Sequence, residues 1–91
     1  MIYFQDARPG DRYYEALQFF ALRGLLGGAQ WQAKLAQKVP EELAENWLRF
    51  AGVGRPPEYI AGKTTRGQLL DALYQRVLKL PSTEIAAIRA P

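Results

Sequence analysis

The sequence predicts an all-α fold, a small bundle of about four helices in a single domain, and three observations support this. Apolar residues recur at helical spacing in separate stretches, most clearly from Thr65 to Leu80. Proline and glycine stand between those stretches, at Pro9-Gly10, Pro40, Gly52 to Pro57, and Pro81. Ninety-one residues at 48% hydrophobic content allow one core, of the marginal size expected for so short a chain.

Tyr3 to Gly10 reads as an extended segment closed by a turn, because Pro9-Gly10 is turn chemistry. Asp11 is placed to cap a first helix from Arg12 to Arg23, with Glu15 near its positive end. Tyr13, Ala16, Leu17, Phe20 and Ala21 share a face of that helix, with Phe19 on its flank. Gly24 is set to end the helix in a left-handed conformation, with Leu25 supplying the accompanying apolar contact and Gly27-Gly28 continuing as a loop.

Ala29 to Lys38 is the next helix candidate, since Trp31, Leu35 and Val39 are spaced by four. Pro40 breaks it and opens another, where its missing N–H is not needed. Leu43, Ala44, Trp47, Leu48 and Ala51 form the apolar side of that helix, which must stop before Gly52 to Pro57. Glu58 to Thr64 reads as a loop or short extended piece.

Thr65 then caps the clearest helix, with Gln68 positioned to bond back in a capping box. Leu69, Leu73, Val77 and Leu80 form its stripe, Leu70 and Tyr74 widen it, and Pro81 stops it. Ser82 can cap a last short turn through Ile85 and Ile88.

The chain has no cysteine and no histidine, which removes disulfides, thiol chemistry, a histidine base and the usual zinc ligands. No run of about 18 apolar residues is present to span a membrane. Net charge is +3, but the twelve basic residues are scattered from Arg8 to Arg89, which reads as a solvated surface and not as a nucleic-acid footprint. The start, Met1 to Asp6, lacks the layout of a signal peptide, so the expectation is either a cytosolic protein or a piece of a longer chain.

Four local patterns suggest chemistry. Gly62-Lys63-Thr64 ends like a phosphate loop, but the first glycine of that motif falls at Pro57. Gly52-Val53-Gly54 fails as a dinucleotide fingerprint because its third glycine falls at Pro57. Glu41, Glu42 and Glu45 complement a helix dipole more simply than they build an acid–base pair. Trp31, Trp47, Tyr13, Tyr14, Phe19, Phe20, Phe50 and Tyr59 are expected mainly in the core, with an exposed partner patch as the alternative. No catalytic residue, metal ligand or cofactor-binding residue is assigned to this chain.

Two segments carry a resemblance. Phe4-Gln5-Asp6, the Pro9 turn, and Tyr14-Glu15-Ala16-Leu17 through Leu22-Arg23-Gly24-Leu25 and Gly28 follow one pattern: F-x-D, a proline turn, then a helix of the type Y-E-A-I…L-A-x-R-G-I-x-x-G. Thr65-Arg66-Gly67-Gln68 is similar to T-R-A-E. Both resemble the surface-layer homology (SLH) module of bacterial cell-surface proteins. The resemblance implies a helix pair built from the first helix and the Thr65 helix, with 29–64 as a helical insertion. It also implies cell-wall polysaccharide as a ligand, with Arg66 matching the arginine that helps bind it. Arg12 stands where the family usually has tryptophan, Gly67 replaces alanine, and the family's short glycine–aspartate loop is absent. Arg66, Tyr14 and Arg12 are therefore the candidate glycan or partner contacts.

A divergent form of this module also resembles the carboxy-terminal tail of some bacterial FAD-dependent oxidoreductases. There the flavin would sit in an upstream domain and not in these residues. The expected role is a non-catalytic module of a larger bacterial, exported protein, placed outside the cytoplasm or at the cell surface. Its partners would be parent-protein domains, further copies of itself, or wall polysaccharide. One alternative is a purely structural C-terminal domain of such an oxidoreductase. Another is an autonomous small adaptor, phage-encoded or nucleic-acid-associated, with Met1 its native start.

Overall fold

The computed structural model describes residues 2–26 and 32–90. It contains α1 (Tyr14–Leu22), α2 (Glu41–Ala51), α3 (Arg66–Val77) and α4 (Ser82–Ala87). Among the described residues there is no sheet, only the isolated pairs Phe4–Ala7 and Lys38–Thr65. The all-α expectation is met, although the four helices are not quite the four expected. Among the described residues no helix is long and apolar enough to cross a membrane.

Helix α3 is the centre, with α1 and α2 packed against it. Leu69, Leu70, Leu73 and Val77 of α3 meet Leu17 and Phe20 of α1 and Trp47 of α2 in the fully buried core. Burying each such side chain contributes about 1.5–3 kcal/mol. Tyr13, just before α1, lies on Gly67 in the first turn of α3, and Phe19 meets Tyr74 at 5.2 Å between ring centroids. Phe4 anchors the leading segment in the same core.

The ends of α1 illustrate two outcomes. At its C-terminus, Gly24 has φ +90°, the Gly24 N–H donates to Ala21 O at 3.1 Å, and the Leu25 N–H donates to Phe20 O at 3.0 Å. This is the glycine-terminated end expected. At its N-terminus Asp11 is not the cap. Its Oδ2 accepts from the Arg8 N–H at 2.8 Å and closes the preceding turn, and no side chain caps the helix. The helix consequently begins at Tyr14, two residues later than expected.

The helix expected at 29–38 does not form in its described part, 32–38, which is turn and irregular backbone. Lys34 sits at φ +55°. The N–H groups of Ala33 and Lys34 both donate to the Asp6 carboxylate, at 2.8 Å each, so neither can join a helical ladder. Trp31 and the Gly27-Gly28 loop lie outside the described residues. Pro40 is the residue before α2, in extended conformation, and not its first helical residue. Helix α3 ends at Val77, and Lys79 and Leu80 continue with i→i−3 bonds to Arg76 and Val77 before Pro81. Ser82 is the first residue of α4 and makes no side-chain cap.

Candidate functional site

The Thr65 capping box forms as the local sequence dictates. The Gln68 N–H donates to Thr65 Oγ1 at 3.2 Å, and the Thr65 N–H donates to Gln68 Oε1 at 2.9 Å. The remaining free donors of the first turn are taken by the preceding segment: the Arg66 N–H donates to Gln37 O at 2.8 Å and the Gly67 N–H to Leu35 O at 2.9 Å. The start of α3 therefore has its donors filled from within the chain and presents none to a phosphate. This is the geometric reason why Gly62-Lys63-Thr64 is not a phosphate loop. Thr64 is instead buried, its hydroxyl accepting from the Ile60 N–H at 2.7 Å.

Arg66 is half-buried and turned inward. Its Nε donates to the Ala33 carbonyl at 3.0 Å, and its guanidinium lies 5.4 Å from the Trp47 ring centroid. The Asp6 carboxylate faces it electrostatically. Burial pulls the guanidinium below its ordinary value, with Asp6 acting in the opposite direction. Partial burial pushes Asp6 upward, but bonds from the Ala33, Lys34 and Asp6 amides, together with the Arg66 charge, hold it below its ordinary 3.8. Arg66 thus ties four parts of the chain together: the leading segment, residues 33–34, α2 and α3.

Arg12 and Tyr14 lie elsewhere, on the outer side of the α1–α3 pair. Both line an open groove of about 600 Å³ with Glu15 of α1 and with Asp71, Tyr74 and Gln75 of α3. Arg12 also borders two neighbouring grooves, one reaching Lys63 and Gln68 and the other Asp6 and Gln37. Its guanidinium lies over the Tyr13 ring at 5.3 Å from the centroid. Arg66 lines none of these three grooves. The candidates therefore separate into an internal arginine and an external pair.

Sequence reading missed the α3 side of this groove. Asp71, Tyr74 and Gln75 are spaced i, i+3, i+4 and so share one helical face, a signal present in the sequence but masked by the adjacent leucine stripe. It also missed Gln18, which is buried and clamps Ile2, accepting from its N–H at 2.9 Å and donating to its carbonyl at 2.6 Å. No spacing rule identifies that contact.

Of the three glutamates at the start of α2, Glu41 and Glu42 lie in the first turn, and Glu45 pairs with Arg55 at 2.6 Å on the surface. Among the described residues no three acidic side chains are grouped to hold a metal ion. The aromatic residues divide: Trp47, Phe20 and Tyr59 are buried, while Tyr13, Tyr14, Phe19 and Phe50 are half-buried. Comparison with known proteins finds no matching family model, no matching curated protein and no matching solved structure.

Proposed function

We propose that this chain is a non-catalytic, SLH-like contact module of a larger bacterial, exported protein, acting by packing against the parent's other domains or against further copies of itself. The observation that carries this reading is the placement of Arg66. The residue that the resemblance assigns to glycan bonds the chain's own Ala33 carbonyl and lies against Trp47. That supports a role in holding the module together over a role in polysaccharide binding. Arg12 and Tyr14, exposed and half-buried respectively, remain as the contact candidates.

The same placement favours a second reading, a purely structural C-terminal domain of an FAD-dependent oxidoreductase, because it removes the glycan contact and keeps the fold. The parent reading frame separates the two. Tandem copies of the module point to the cell surface, and an upstream G-x-G-x-x-G after a strand points to the flavoenzyme.

The test is co-sedimentation with purified cell-wall polysaccharide, beside analytical ultracentrifugation of the chain alone and mixed with its parent domains. The contact reading expects association with protein and little retention on polysaccharide. Retention that Arg66→Ala abolishes, with helix content unchanged, would contradict it and make Arg66 a ligand contact.

A further inference from the structure

We propose that the groove between α1 and α3 is a receptor for a basic side chain, lysine or arginine, carried on an exposed segment of a protein partner. The inference rests on the contact-module reading and adds to it the place and the chemistry of the contact.

Two tyrosine rings come first. Tyr14 and Tyr74 line the groove, both half-buried and packed against the core, and Tyr74 is backed by Phe19 at 5.2 Å. Their placement is fixed by the packing of the α1–α3 pair, so little ordering is left to be done on binding. The face of an aromatic ring is its negative side and attracts a cation.

The charges set the sign of the ligand. The groove holds the carboxylates of Asp11, Glu15 and Asp71 against the single guanidinium of Arg12, in a chain whose net charge is +3. Asp11 accepts from the Arg8 N–H, and Asp71 accepts from Gln75 Nε2 at 3.5 Å. Among the described residues neither Glu15 nor Asp71 is in a salt bridge, the pair there being Arg55–Glu45. An anionic ligand would meet a locally negative field in this groove. A bare metal ion leaves the tyrosines unused, and the groove, at about 600 Å³, has room for a long side chain. A lysine stem or an arginine plane can lie along the rings with its charged end at Glu15 and Asp71, and Gln75 Oε1 can accept a hydrogen bond from it.

The experiment is an NMR titration of the ¹⁵N-labelled chain with three probes: N-acetyl-lysine amide, N-acetyl-glutamate amide and N-acetylglucosamine. The lysine probe is expected to shift the Gln75 side-chain amide and the backbone signals of Tyr14 and Tyr74, and the other two are not. Glu15→Gln with Asp71→Asn, two groove-side substitutions that keep side-chain size, should weaken the lysine probe about threefold or more and leave the spectrum folded. Equal shifts with the glutamate probe, a preference for the saccharide, or unchanged lysine binding in the double variant would each overturn the proposal. Ultracentrifugation of the double variant with the parent domains separates the two claims. Docking that survives the substitutions overturns the groove assignment and leaves the contact-module reading standing, whereas no docking by either protein overturns that reading itself.

Discussion

Gly67 stands where the resemblance has alanine, and the Tyr13 ring occupies the space an alanine needs. A Cβ at that position would overlap Tyr13 Cδ2 and approach Cγ to 3.1 Å. The contact is with the body of the ring, so a small movement of the side-chain tip does not relieve it. Alanine is otherwise the better helix residue, by up to about 1 kcal/mol, so the sign of the substitution depends on Tyr13. Gly67→Ala is expected to lose about 1–3 kcal/mol in urea unfolding, as overpacking does. In a Tyr13→Ala background the same change should be neutral or stabilising. Equal effects in both backgrounds would show that the ring does not set the choice of glycine. Gly67 and Tyr13 thus belong together as a pair.

The beginning of α3 was readable in part. Thr65 and Gln68 are three residues apart, so their capping box is local chemistry that sequence spacing displays. The acceptors for the Arg66 and Gly67 N–H groups are backbone carbonyls of Gln37 and Leu35, and a carbonyl has no side-chain signature. The spacing of Leu35 and Val39 imitates a helix for a related reason. Val39 is buried and Leu35 half-buried, as the pattern requires, but the segment reaches the core as irregular backbone because Asp6 captures two successive N–H groups. Such a contact across 27 and 28 residues lies beyond any periodicity argument. It also gives a pH dependence. The folded Asp6 carboxyl sits below its ordinary 3.8, so it contributes stability above that value and loses the contribution as acid protonates the folded form. Urea midpoints from pH 7 down to pH 2 should therefore fall less in Asp6→Asn than in the native sequence. Parallel profiles would remove Asp6 as a contributor.

Across the whole molecule, the α1–α3 pair was legible because its stripes repeat at helical spacing and its ends carry glycine, threonine and proline. The candidate site was legible only as residue types. The sequence groups Arg66, Tyr14 and Arg12 as contact candidates, but their separation follows from how the 32–39 segment closes over the start of α3. That closure turns Arg66 inward and leaves Arg12 and Tyr14 on the outer groove. Arg66 is thereby a joint between separate segments of the chain. Urea unfolding of Arg66→Ala measures that joint. The expected loss is about 1.5–3 kcal/mol, the range for a hydrogen bond from a charged group whose partner is left behind. A change within about 0.5 kcal/mol, as at a free surface position, would contradict it.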